Sequence, residues 1–147
     1  MLVYGTIITY GHDGVAQGHA KPWERHRAAL ARQTAEWRDM RQAHPDHRMC
    51  VAGDFNENLD GTRWYGVQDA KDAIARGLDA AGMSCLTTAN LRAEPYTDIG
   101  RASVDHICFT AAAGLKSKLE AWPGRAKGGH LSDHNGVLVE LILPGGQ

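Results

Sequence analysis

Apolar positions along this chain follow two rhythms, one of strands and one of helices. Leu2 to Thr9 is apolar and β-branched almost throughout, which predicts a strand. Residues 11–20, GHDGVAQGHA, contain three glycines and predict a loop. Trp23, Leu30 and Trp37 then recur every seven residues, with Thr34 and Met40 extending the stripe and Arg25, Arg32 and Arg38 on other sides. That pattern predicts an amphipathic helix with Pro22 in its first turn, running to about Ala43 and stopped by Pro45. RMCVAG, 48–53, is nearly unbroken apolar chain and predicts a strand covered on both faces.

The second half continues the alternation. Ala70, Ile74, Leu78 and Ala81 share one face of a helix predicted over Asp69 to Ala81, with Gly82 at its C-terminal cap. Short strands are expected at Ser84–Thr88 and Leu115–Trp122, and an alternating one at Val104–Thr110. In Val137–Leu143, Val137, Val139, Leu141 and Leu143 lie on one face and Glu140 on the other, followed by the tail PGGQ. The order β-α-β-α-β-β-β predicts an α+β fold: one mixed, mainly antiparallel sheet with two main helices on one face. No repeat or linker interrupts it, so residues 1–147 read as a single domain.

Charge narrows the choice of partners. The net charge is −1, which excludes the global basic field of non-specific nucleic-acid binders, so a polyanion site must be local. Arg25, Arg27, Arg32, Arg38 and Arg41 read as a solvated helix face. No apolar run approaches the ~18 residues of a membrane span, and the N-terminus lacks the marks of a signal peptide. Cys50, Cys85 and Cys108 are an odd set without C-x-x-C spacing, which reads as buried thiols of a cytoplasmic protein. His12, His19 and His26 also recur every seven residues, but without the Cys or His pairs of a zinc finger.

Three polar clusters sit at predicted strand ends: GDFN (53–56), SVDHI (103–107) and HLSDHNG (130–136). Each alone suits a turn or an edge. The run Asp54, Asn56, Asn58, Asp60 alternates like a calcium loop. Counted from Asp54, however, its sixth and twelfth positions are Leu59 and Tyr65, where that loop needs Gly and Glu. Taken together the clusters suggest more. A histidine needs a carboxylate to fix its tautomer, and Asp105 can serve His134 if the strand at 104–109 lies beside the one starting near 136. Asp54, Asn56 and Asp133 then offer the hard oxygen ligands that Mg²⁺ takes. His106 points to the opposite face from Asp105 and reads as structural. Trp64-Tyr65 reads as core or rim packing, with stacking on a base or ring as the functional alternative.

The ordered set GDFN, S-x-D-H-I, then S-D-H before a final apolar strand resembles the endonuclease/exonuclease/phosphatase superfamily, the DNase I-like hydrolases. The resemblance implies divalent-metal-dependent hydrolysis of a phosphodiester, as in a nuclease or phosphodiesterase, with Mg²⁺ or Mn²⁺ as cofactor. It implies that Asp54 orients or deprotonates the attacking water and that Asn56 binds metal or phosphate. His134, held by Asp105, would contact the scissile phosphate, Asp133 would ligate metal, and Tyr10 would sit near the phosphate. The substrate would carry phosphate, with nucleic acid among the candidates. The match covers only the second half of a four-layer sandwich. The family's N-terminal metal-binding Glu has no counterpart, and Glu57, directly after GDFN, is expected to face away. Activity is therefore expected to be weak, or to depend on a missing half or a second subunit. The strands at 2–9, 48–53, 104–109 and 137–143 would leave a sheet face bare, which implies a homodimer packed face to face. The alternative is a non-catalytic association module.

Overall fold

The computed structural model describes residues 1–142, so Leu143 and the PGGQ tail lie outside the described residues. β1 (Leu2–Ile7), α1 (Glu24–Ala43) and β2 (Met49–Asp54) form a parallel crossover unit in which Leu2 pairs with Met49 and Ile7 with Asp54. α2 (Gln68–Ala80) leads into the short β3 (Met83–Cys85), and β4 (Asp105–Thr110) runs antiparallel to both β2 and β3. The mixed sheet has the order β1-β2-β4-β3, with both helices on one face, so the fold is α+β.

The seven-residue stripe of α1 is what buries the helix. Leu30 and Trp37 are at most 1% exposed, and Trp37 stacks on Phe55 and meets Tyr4 edge-on. α2 contributes Ala70, Ile74 and Leu78, and the sheet contributes Met49, Val51 and Cys108. Each large apolar side chain removed from water contributes roughly 1.5–3 kcal/mol. α1 starts at Glu24, two residues past Pro22, because Trp23 takes a left-handed φ of 66° at the cap.

The sheet differs from the predicted single sheet at its C-terminal strands. β8 (Gly136–Ile142) pairs antiparallel with β5 (Lys116–Trp122), Lys116 opposite Ile142 and Trp122 opposite Gly136, as a separate ribbon. The sequence explains why. β5 alternates Lys116, Lys118 and Glu120 with Leu119 and Ala121, the pattern of a ribbon wet on one side. β6 (Arg125–Ala126) and β7 (Gly129–His130) form a small third pair. On the face of the main sheet away from the helices, Val3 is 67% and Ile7 76% exposed, while Phe109 is buried.

The rim that matters is the C-terminal end of β2. Because β2 and β4 are antiparallel, Asp54 at the end of one faces Asp105 at the start of the other. Gly53 just before it has φ 146°, and a Cβ there would strike the Thr6 carbonyl oxygen of β1. Glycine is therefore what lets the three strands close up where the carboxylates emerge.

Candidate active site

The polar run after β2 divides into three jobs. Asp54 and Asn56 form one unit: Asn56 N–H donates to Asp54 Oδ1, and its Nδ2 donates to Asp54 Oδ2 and to the Ile8 carbonyl, all at 2.8 Å. Asn56 holds φ 50°, a left-handed conformation that Asn tolerates. Asn58 and Asp60 brace the loop, with Asn58 Oδ1 accepting from Tyr65 N–H and from Lys71 Nζ, both at 2.8 Å. Glu57 turns inward, fully buried, with Oε1 3.5 Å from His26 Nε2 and accepting from Val67 N–H at 3.1 Å. It is turned away from the rim, as the sequence suggested, and supplies no carboxylate there.

Asp105 meets His134 directly. His134 Nδ1–H donates to Asp105 Oδ2 at 2.7 Å, with side chains 36% and 25% exposed. The strands β4 and β8 are not ladder partners, so the loop 131–135 makes this approach instead of adjacent pairing. Ser132 Oγ accepts from His134 N–H at 3.0 Å, and Asn135 Nδ2 donates to the Arg101 carbonyl at 3.0 Å, which pins the loop to the segment before β4. With Nδ1 committed to Asp105, Nε2 of the imidazole is the free ring nitrogen.

Asp54, Asp105 and His134 each offer a donor atom, and these atoms lie within 4.8 Å of one another. Burial pushes Asp54 up from the ordinary carboxylate range, and the Asp105 charge adds to this against the donors of Asn56. Burial pulls His134 down, but the bond to Asp105 and the charges of Asp105, Asp54 and Asp133 more than offset it, so its pKa is raised.

A cavity of about 320 Å³ opens on this cluster, with Asn56, Asp105, Asp133 and His134 in its wall. Asp133 thus shares the cavity, but it is not one of the three residues whose donor atoms lie within 4.8 Å. Tyr10, at the end of the first predicted strand, is half exposed and does not line the cavity. Trp64 and Tyr65 form part of the wall. The sequence reading missed Arg101, whose Nη1 donates to the Asp133 carbonyl at 2.7 Å and whose guanidinium lies 5.7 Å over the Trp64 ring. No periodicity marks it; its only sequence signal is its place two residues before Ser103.

Two carboxylates and an imidazole with donor atoms this close could hold a metal ion. Asp54 and Asp133 are carboxylates, and Asn56 spends its amide N–H groups on Ile8 and Asp54, leaving Oδ1 as an oxygen donor. No helix among the described residues is long and apolar enough to cross a membrane. No protein-family model and no curated protein matches the chain.

Proposed function

We propose that this protein is a divalent-metal-dependent phosphodiester hydrolase of the endonuclease/exonuclease/phosphatase type. The observation that carries the reading is the Asp105–His134 hydrogen bond of 2.7 Å beside Asp54, at the wall of an open cavity. A Mg²⁺ or Mn²⁺ ion held by Asp54, Asn56 and Asp133 would neutralise phosphoryl charge. The rest of the chemistry belongs to side chains. Asp54, with its raised pKa, accepts a hydrogen bond or proton from the attacking water. Asp105 holds His134 in the Nδ1–H tautomer, so that His134 Nε2 faces the phosphate. When protonated, Nε2–H donates to a phosphoryl or leaving-group oxygen, where negative charge develops. Arg101, fixed over Trp64, adds a cation near the cavity mouth.

The test is hydrolysis of bis-p-nitrophenyl phosphate and of plasmid DNA, with Mg²⁺ or Mn²⁺ and with chelator, for the wild type and His134→Ala. Metal-dependent turnover that disappears in the variant supports the reading. Turnover that is absent, or unchanged in His134→Ala, overturns it. A cytoplasmic setting belongs to this reading, since three free thiols suit a reducing compartment.

A second reading, an association module, draws on the bare part of the sheet. Val3 (67% exposed), Ile7 (76%) and, on the ribbon, Ile142 (63%) and Leu138 (46%) are apolar and open to water. A second copy packed face to face would cover them. Sedimentation at micromolar concentration separates the two: a monomer at all concentrations removes the self-association reading.

A further inference from the structure

A cavity of about 530 Å³ lies between α2 and β3, without Asp54 or His134 in its wall. Lys71, Ile74, Leu78, Met83 and Cys85 are in its wall. Cys85 in β3 stands directly opposite Cys108 in β4. The type of pairing follows from the flanking bonds. Ala111 N–H donates to the Gly82 carbonyl and Leu86 N–H to the Ile107 carbonyl, which marks Gly82/Ala111 and Leu86/Ile107 as hydrogen-bonded pairs. Pairs alternate along an antiparallel ladder, so Cys85/Cys108 is a non-hydrogen-bonded pair, with Cα atoms about 4.5 Å apart and side chains at their closest. That spacing falls within the roughly 4.4–6.8 Å that a disulfide spans. Both thiols lie on the helix side, Cys108 fully buried and Cys85 half-buried against the same core.

We propose that Cys85 and Cys108 form a reversible redox pair: Cys85 reacts first with a hydroperoxide entering this cavity, and Cys108 closes the cross-strand disulfide. The inference is independent of the hydrolase reading. The surroundings divide the roles. Cys85 Sγ lies 3.5 Å from Thr87 Oγ1, which lies 3.0 Å from His106 Nδ1. His106 Nε2–H donates to the Glu57 carbonyl at 2.8 Å, so the ring's Nδ1 accepts from the Thr87 hydroxyl. Cys85 lines the cavity, whereas Cys108 is fully buried and does not. The hydrogen bond from the Cys108 thiol, with His106 and Thr87, lowers the Cys85 pKa, and donating to Cys85 together with burial raises that of Cys108. Cys85 is therefore the nucleophile and Cys108 the resolving thiol. Cys50 pairs with Phe109, one register position away and on the opposite face of the sheet. It is a built-in control.

The chemistry balances. The Cys85 thiolate attacks one peroxide oxygen, the O–O bond breaks, and the departing hydroxide takes a proton to become water, leaving Cys85 as sulfenic acid. The Cys108 sulfur then attacks the Cys85 sulfur, the S–S bond forms, and the sulfenic hydroxide leaves as water with the Cys108 proton. Two thiols and one hydrogen peroxide give one disulfide and two waters; an organic hydroperoxide would release its alcohol in place of the first water.

The test treats the full chain with one equivalent of hydrogen peroxide at pH 7, followed by tryptic peptide mapping. The expected product links Gly77–Arg92 to Ala102–Lys116, lacks two hydrogens and separates on adding dithiothreitol. Native alkylation should modify Cys85 at least ~10-fold faster than Cys50. Cys108→Ser should leave Cys85 as sulfenic acid, trapped as its dimedone adduct, in place of the disulfide, and Cys50→Ser should leave the linkage unchanged. A linkage through Cys50, no linked peptide, or equal alkylation of Cys85 and Cys50 overturns the proposal. The wild-type map and alkylation rates decide this even if Cys108→Ser does not fold.

Discussion

Asp105 and His106 are neighbours in one strand, yet they belong to two different kinds of place. His106 is 1% exposed, and both ring nitrogens are engaged by protein, one by the Glu57 carbonyl and the other by Thr87. Asp105 points the other way and meets His134, which has one nitrogen engaged and the other free beside a cavity. The same contrast separates Glu57 from Asp54, three residues apart: one carboxylate is sealed beneath α1, the other stands at the rim. A buried polar group that lacks a partner costs about a kcal/mol or more. His106 has both ring nitrogens engaged, while Glu57 keeps Oε2 unpartnered, sealed from any substrate. A rim group can keep a valence open, and open valences beside a cavity are what chemistry needs.

The largest expected effect breaks the rim half of this contrast. Asp105→Asn keeps the shape but presents the wrong partner to His134 Nδ1, and His134→Ala removes the ring. Each should lower turnover of a diester by about 10²–10⁴-fold, the usual worth of a positioned acid or base. Stability should hold within ~1 kcal/mol, because both side chains are partly solvated. Steady-state kinetics beside a urea melt checks both. A large loss of stability in Asp105→Asn would move the pair to the structural side.

Much of this arrangement was legible beforehand, for identifiable reasons. Leu30 and Trp37 marked the buried face of α1, with Trp23 of the same stripe falling at its cap, and period-two alternation put His106 and Asp105 on opposite faces of β4. Asp54, Asp105 and His134 were readable because they sit in the three polar clusters at predicted strand ends, GDFN, SVDHI and HLSDHNG. The separate β5–β8 ribbon was not legible, since alternation marks a strand without naming its neighbour. Nor was the burial of His26. It faces Glu57 and uses Nδ1–H to donate to the Thr9 carbonyl at 2.7 Å, a partner 17 residues away that only the tertiary fold supplies. Arg101 was missed likewise, and Cys85 was read only as a buried thiol, because each acquires its meaning from residues distant in the chain.

Breaking the buried half should show in stability. His106→Ala strips the donor from the Glu57 carbonyl and opens a gap beside Phe55, which meets the ring at 5.4 Å. It should cost about 3–4 kcal/mol in a chemical melt. A cost under ~1 kcal/mol would mean that water replaces the ring freely and that the interior is not sealed.

Glu57 sharpens the contrast through pH. Burial raises its pKa to about 7, so the fold favours the protonated acid. The stability this brings is fully present below the ordinary value near 4.5 and is lost as pH rises through about 7. His26 opposes it: burial lowers its pKa, so its contribution is present above the ordinary value near 6.5 and is lost on acidification. Glu57→Gln removes the first term while keeping an acceptor for Val67 N–H. Relative to the wild type, the variant should gain up to about 3 kcal/mol between pH 5 and 8. Parallel stability curves would show that Glu57 is solvated after all.

The smallest effect lies at the cavity mouth, where Trp64 is 37% exposed beneath the Arg101 guanidinium. An exposed cation–π contact is worth about 0.5–1 kcal/mol. Trp64→Ala should therefore let Arg101 wander and weaken the binding of an anionic substrate by roughly two- to five-fold, seen as a higher KM at unchanged kcat. Trp64→Phe, which keeps a ring, should recover most of that loss. If kcat falls as much as kcat/KM, the arginine acts where charge develops during reaction, and the boundary between holding the substrate and transforming it must be drawn to include Arg101.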